Sequence, residues 1–333
     1  MEGKKKPMQK TKAIFAVLSL LLLTSFLASV AYGADGTSDG TINVVTECTI
    51  TSPELLNAGE SSVNASALTV NVKYHVNCTV SDEDGMDDIM FVNVQAWLAA
   101  SANENDTVDE NLVYSFWWNG SDQLFYDYGT GWLDDANWHG SASAALTQYE
   151  FCFQWDYSKV ATYSNGANTG WAISIWANDT EGNSYHLGED LCLNHGIAEY
   201  TELTGLSATH SWSALAVGST DNALTAPGSS LSFTGIANRV WNVTAKSNAT
   251  VAKDMTYNYE LGIGNVTVNG ADNAGASAAL STSDVDVPNL DAIAIPSAEA
   301  GTAEDCYMWV DIPAAQQPGA YEYKLTLTVQ ADS

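Results

Sequence analysis

The chain has 333 residues and carries 40 Asp and Glu against 11 Lys and Arg, a formal net charge of −29. Such a surface repels phosphate backbones and anionic headgroups, which excludes nucleic acid as a partner, and it attracts divalent cations. The length is enough for two separate hydrophobic cores.

The N-terminus sets the expected compartment. Lys4, Lys5, Lys6, Lys10 and Lys12 precede the apolar run AIFAVLSLLLLTSFLASVAYG, residues 13–33. A basic segment, an apolar segment and small residues at Ala31 and Gly33 make a secretory signal peptide over 1–33, cut after Gly33. Two other readings leave the helix in place: a membrane anchor of near-spanning length, or a pilin-type leader cut near KAIF. Membrane contact is expected only through this segment if it is uncleaved. Cleavage removes five basic residues and one acid, leaving 6 and 39, a net charge of −33.

Beyond the leader the pattern is strand-like. Residues 67–80, ALTVNVKYHVNCTV, alternate apolar and polar almost without fault, the mark of a half-buried strand. Similar runs fall at 42–50, 89–98, 146–157, 170–177, 229–235, 239–245, 256–262, 306–312 and 321–329, between turns rich in Gly, Asn, Asp and Ser. No stretch has helical periodicity with caps. The expectation is an all-β protein of two immunoglobulin-like β-sandwich domains, domain one at 34–202 and domain two at 203–333. An aromatic-rich insertion at about 99–145 in domain one is expected to hold loops and one or two short strands.

Five cysteines, Cys48, Cys78, Cys152, Cys192 and Cys306, lack metal-site spacing. In a secreted chain they read as disulfides, and strand parity suggests Cys48–Cys78 and Cys152–Cys192, with Cys306 left as a buried thiol or an intermolecular bridge. Eight N-x-S/T sequons, at Asn64, Asn77, Asn105, Asn119, Asn178, Asn242, Asn248 and Asn265, are candidate N-glycosylation sites.

Three stretches resemble a known protein class. YHVNCTVSDEDGMDDIMFVNVQAW is similar to the strand–V-x-D-x-D-G-x-x-D-I–strand unit of archaeal and bacterial secreted cell-surface proteins with immunoglobulin-like domains. GWAISIWANDTEGNSY resembles their later hairpin, and MWVDIPAAQQPGAYEYKLTLTV their closing hairpin. The resemblance implies a structural or adhesive role at the cell envelope in a surface layer, filament or adhesin, often glycosylated. The partners would be other envelope proteins, copies of the same chain, or glycans.

Two constellations carry candidate chemistry. SDEDGMDD supplies Asp82, Asp84, Asp87 and Asp88 around Gly85, and NDTEGN supplies Asp179 and Glu181. Calcium takes six to eight oxygens from flexible acidic loops, and two loops at one end of a sandwich can make a site that neither makes alone. The bland alternative is a pair of Asx-type turns with solvated carboxylates. The second constellation, FWWNGSDQLFYDYGTGWLDDANWHG, crowds Trp117, Trp118, Tyr126, Tyr128, Trp132 and Trp138 into a polar, Gly-rich segment. Aromatics in such a setting form a glycan site, a protein interface or a small core under a long loop.

Catalytic signatures are missing. There is no G-x-S-x-G, H-E-x-x-H or P-loop, and the five histidines are scattered, with His186 and His195 the pair best placed to meet. Acid pairs such as Asp134–Asp135 suggest a glycoside hydrolase only weakly in so acidic a chain. The order of expectation is an envelope structural or adhesive protein, then a carbohydrate-binding module, then a secreted glycosidase, with no catalytic residue assigned.

Overall fold

The computed structural model describes residues 48–128, 132–140, 148–164, 170–187 and 193–332, with the backbone alone for 138–140. The leader and its cleavage site lie outside these residues. The described chain is strands and turns with two 3-10 turns and no α-helix, as the alternating sequence demands. None of its helices is long and apolar enough to cross a membrane.

The first half contributes eleven strands: β1 (Thr49–Asn57), β2 (Ala67–Leu68), β3 (Lys73–Ser81), β4 (Ile89–Leu98), β5 (Val113–Asn119), β6 (Leu124–Asp127), β7 (Leu133–Gly140), β8 (Gln148–Asp156), β9 (Trp171–Asp179), β10 (Ser184–Leu187) and β11 (Leu193–Ile197). They form one sheet in the order β1-β3-β8-β7 and another in the order β2-β11-β9-β4-β5-β6, with β10 also on β9. Every pairing is antiparallel except the short β2–β11 contact.

Strand parity fixes the core. Val76, Cys78 and Val80 of β3, Phe151, Phe153 and Trp155 of β8, Val92, Val94 and Ala96 of β4, and Tyr114, Phe116 and Trp118 of β5 are buried in one cluster. These are alternate positions, as the two-residue repeat of a strand requires. The expected strand over 67–80 is interrupted: Asn71 takes φ +54° and Val72 is exposed, so pairing restarts at Lys73. The aromatic segment holds three strands, β5, β6 and β7, where one or two short ones were expected. Their hairpins extend both sheets instead of forming a loop.

The second half contributes β12 (Thr201–Thr204), β13 (Asn222–Ala223), β14 (Ser230–Ala237), β15 (Trp241–Ser247), β16 (Val251–Asp254), β17 (Glu260–Gly262), β18 (Val266–Asn269), β19 (Ala278–Ala279), β20 (Val285–Asp286), β21 (Thr302–Val310), β22 (Tyr321–Glu322) and β23 (Leu325–Ala331). The sheets run β12-β14-β21-β18-β19, with β13 beside β21, then β20-β15-β23 and β17-β16-β22. A second cluster, from Leu224 to Val329, surrounds Trp241, Phe233 and Met308. Gly235 is required there, because a Cβ would lie 2.3 Å from the Trp241 ring.

Of the two expected cysteine pairs, Cys48–Cys78 is not formed. Cys48, Cys78, Cys152 and Cys306 are all free thiols. Ile50 faces Val80 across β1 and β3, so Cys48 lies beyond one side of that pair and Cys78 beyond the other. Four residues of strand separate them, on the order of 13 Å, about twice the Cα separation a disulfide accepts. Cys192, the expected partner of Cys152, lies outside the described residues.

Candidate functional site

The two acidic turns meet. β3 ends at Ser81 and β4 begins at Ile89, with Gly85 at φ +103° turning the chain between them. β9 ends at Asp179, directly opposite Ile89, and Gly182 at φ +88° turns the chain into β10. Both conformations suit glycine, which has no Cβ to clash. The Thr180 N–H donates to the Asp88 carbonyl at 2.9 Å, and the Thr180 hydroxyl hydrogen-bonds Asp88 Oδ1. The Met86 N–H donates to the Tyr149 hydroxyl at 2.8 Å, pinning the first turn to β8.

Asp82, Asp88 and Asp179 each present a carboxylate oxygen to this junction, all within 4.8 Å of one another. Two oxygens on one calcium ion are at most about 5 Å apart, twice the Ca–O distance, so a single ion fits the spacing. Asp179 is fully buried and held by Asn183, whose N–H reaches Oδ1 at 2.7 Å and whose Nδ2 reaches Oδ2 at 2.8 Å. Asp82 is 2% exposed. Its Oδ1 accepts the Asp84 N–H at 2.8 Å, but its Oδ2 is closed from solvent without a hydrogen-bond partner, as is Asp88 Oδ2.

The electrostatics follow from that geometry. Burial pushes the Asp82 carboxyl up, the Asp84 N–H partly offsets it, and the charges of Asp88, Asp84 and Asp179 push it up further. Glu181 is raised by its hydrogen bond with the Asp88 carboxyl. Beneath the turns, burial first and then Asp179 lift the Cys48 thiol to about 11, so it stays protonated and donates to the Ala177 carbonyl at 3.4 Å. Like charges gathered without a counter-charge raise a carboxyl pKa, and a divalent cation reverses that effect.

Of the six acidic residues expected at a calcium site, three form the cluster. Glu181 stands beside it through Asp88; Asp84 is exposed and contributes its N–H and its charge, and Asp87 is exposed outside the cluster. Asn183, which orients Asp179, was not in the expected set; its sequence signal is the D-x-x-G-N turn itself.

The aromatic constellation divides by parity. Trp117 and Tyr126 stack on the outer face with centroids 4.6 Å apart, and Tyr128 lies 6.2 Å from Trp117. Trp118, one residue along the same strand, points inward, is fully buried and meets Phe151 edge-on at 5.2 Å. Trp132 is half-buried against the first core, 6.3 Å from Tyr114. Trp118 is therefore a core residue, Trp132 packs partly buried against that core, and the Trp138 side chain lies outside the described residues. His186 and His195 do not meet: His186 bonds Glu104 at 2.7 Å, and His195 is buried between Tyr157 and Trp171.

No protein-family model and no curated protein matches this sequence. Among solved structures the chain is similar to the C-terminal domain of the Streptococcus agalactiae AgI/II polypeptide BspA, at 8% identity and TM-score 0.25, over 86% of this chain and 96% of that one. It is also similar to the C-terminal domain of the Streptococcus pyogenes antigen I/II-family protein AspA, at 9% identity and TM-score 0.24, over 87% and 97%. A DUF4466 family protein from Parabacteroides merdae gives 9% identity and TM-score 0.22, over 81% and 100%. Superpositions at this level do not establish a shared fold.

Proposed function

We propose that this chain is an extracellular structural or adhesive protein of the cell envelope, built from two immunoglobulin-like β-sandwich domains. In this reading a calcium ion locks the acidic end of the first domain. Asp82 Oδ2 carries it: a buried carboxylate oxygen without a hydrogen-bond partner, beside two further carboxylates. A buried, uncompensated anion is costly, and a hard cation with oxygen ligands is the natural compensation. Asp82, Asp88 and Asp179 would hold it, with Glu181 and water completing the shell. The strong net negative charge suits an ionic exterior that screens self-repulsion.

The cation would act as a mechanical clamp. It would tie the turn after β3 to the turn after β9, two points far apart in sequence and joined by few backbone hydrogen bonds. That rigidity fits a load-bearing surface module better than catalysis, which needs a cleft with an acid or base in place.

The test has two arms. Calcium added to stripped protein should raise Tm as its concentration passes Kd, magnesium should be a weaker substitute, and Asp82→Asn should abolish the rise. No calcium-specific rise at millimolar concentration would remove the cation. Protease shaving of intact native cells tests location; protection until lysis would remove the envelope role.

A further inference from the structure

The outer face of the sheet containing β9, β4 and β5 carries a pattern that the cation site does not use. Phe91 on β4 lies opposite Asn119 on β5 and opposite Asn178 on β9. One step along the same face, Asn93 lies opposite Trp117 and opposite Trp176. Both flanking asparagines head sequons, Asn119-Gly-Ser121 and Asn178-Asp-Thr180, and each has a tryptophan two residues before it. None of the other six sequons has a tryptophan at that position. In a strand, residues i and i+2 share a face, so each tryptophan ring lies beside its own asparagine.

This face is apolar where it meets solvent. Phe91, Trp117, Trp176 and Tyr126 are half-buried and Leu124 is 56% exposed. Phe91 and Trp117 are 5.3 Å apart, and His186 sits 5.0 Å from Trp176 at the far edge. Exposed aromatic rows of this kind mark contact surfaces. Here the covering group is tethered to the face itself, since a pyranose presents C–H groups that lie flat on an aromatic ring while its hydroxyls stay in water.

We propose that Asn119 and Asn178 carry N-linked sugars whose first residues lie down on Trp117 and Trp176, closing over Phe91 from both sides. The transfer joins the asparagine Nδ2 to the anomeric carbon of a sugar, breaks that carbon's bond to a polyprenyl phosphate donor, and releases the lipid phosphate and the amide proton. Asn119 Oδ1 accepts the Ser121 N–H at 3.0 Å, which orients the amide at the turn. Gly120 between them is obligatory, because a Cβ there would lie 2.1 Å from the Ile89 carbonyl oxygen. The Thr180 hydroxyl is tied to Asp88 in the folded chain, so transfer to Asn178 belongs to the chain before this turn closes.

The inference rests on the extracellular reading, since such sugars mark secreted surfaces. The test separates the two by supplying export artificially. The full chain is secreted behind a foreign signal from a eukaryotic host that modifies N-x-S/T, and occupancy is read peptide by peptide. Asn105, exposed on a turn with Asn103 two residues before it, is the internal control.

Sugar is expected at Asn119 and Asn178. Trimming to a single sugar should keep Tm, and Asn119→Gln or Asn178→Gln should each lower it by about 2 °C or more. Asn105→Gln should leave it unchanged. Oxidative labelling of Trp117 and Trp176 should fall in the glycosylated protein relative to the double Gln variant. Bare Asn119 and Asn178, or sugars that alter neither Tm nor tryptophan labelling, would overturn the proposal. A chain that stays inside its native cell would remove the extracellular reading and leave these results as they stand.

Discussion

Asn238 and Tyr200 hold one another through two hydrogen bonds: the Tyr200 N–H donates to Asn238 Oδ1 at 2.9 Å, and the Asn238 N–H donates to the Tyr200 carbonyl at 3.2 Å. The same side chain donates from Nδ2 to the Ala198 carbonyl at 2.8 Å, and the Asn238 carbonyl accepts the Tyr163 N–H at 2.8 Å. Asn238 is fully buried. It therefore joins the segment that leaves β11 to the turn between β14 and β15, where the first half of the chain meets the second. Around it, Lys159 bonds Glu202 at 2.8 Å and its N–H reaches Glu299 at 2.7 Å.

Asn238→Ala should destabilise the protein by about 2–3 kcal/mol, because it strands a buried donor and a buried acceptor at once. Asn238→Asp should be no milder, since it keeps the acceptor, loses the donor and buries a charge. Urea unfolding followed by tryptophan fluorescence measures both. A loss under 0.5 kcal/mol, the surface-substitution range, would mean that the junction does not depend on this residue.

The tryptophan pair at 117 and 118 separates core from surface within one dipeptide. Trp118→Ala should cost about 3–5 kcal/mol, as removal of a buried aromatic does. Trp117→Ala should cost about 1 kcal/mol, the worth of its stacking on Tyr126. Equal losses would contradict the inward and outward assignment.

This dipeptide also shows what the sequence reveals and where it stops. The run VYSFWWN at 113–119 does not alternate and was not among the expected strands, but once the strand is formed parity places Trp117 and Trp118 on opposite faces. It does not say which face is covered, because that depends on β8 across the core. The meeting of the two acidic turns was legible only through the sandwich assumption, in which both loops share one end. The exclusion of Asp84 and Asp87 was not, since a turn of consecutive acids gives no period from which to read direction. The Cys48–Cys78 pair is not formed for a related reason: parity gives the face, but ladder register gives the distance, and the register puts Cys48 beyond Ser81.

The carboxylate cluster has a sign that distinguishes repulsion from design. Asp82 is held above the ordinary carboxylate range in the folded state, so its protonated form favours folding, and that contribution is lost as pH rises through the folded pKa. Without calcium, Asp82→Asn should be as stable as the parent or more stable at pH 7, and the gap should close on acidification. With calcium at saturation the order should reverse. Melts at pH 5 and pH 7, with chelator and with calcium, give the four values needed. A variant less stable than the parent with chelator at pH 7 would show that Asp82 acts through a protein contact instead.

Thiol chemistry checks the cysteines directly. Burial raises Cys78 and Cys306 to about 12, so neither forms the reactive thiolate at neutral pH. In native protein, alkylation of Cys48, Cys78 and Cys306 should be negligible over hours, and in denaturant without reductant all three should react. Peptide mass spectrometry reads each site. Protection of Cys48 and Cys78 that persists in denaturant and disappears with reductant would establish a disulfide and require a different register for β1.

His195 sets the acid limit of the first core. It is fully buried, its ring lies 5.3 Å from Tyr157 and 6.4 Å from Trp171, and neither ring nitrogen has a hydrogen-bond partner. Burial alone lowers its pKa from 6.5 to about 3. The neutral ring is the folded form, so the unfolded chain binds one more proton than the folded chain between those two values. Stability from this group is complete above pH 6.5 and falls by about 1.4 kcal/mol per pH unit below it, until the folded pKa is reached. Asp82 acts with the opposite sign, so the two can be separated only by substitution. His195→Phe keeps an aromatic ring beside Trp171, removes two unpartnered nitrogens and removes the titration. It should be at least as stable as the parent at pH 7 and should lose stability between pH 6 and pH 4 with a slope smaller by one proton. An unchanged slope would mean that His195 is already protonated or hydrated in the folded state, and that the dry packing of Tyr157, Trp171 and His195 does not hold in solution.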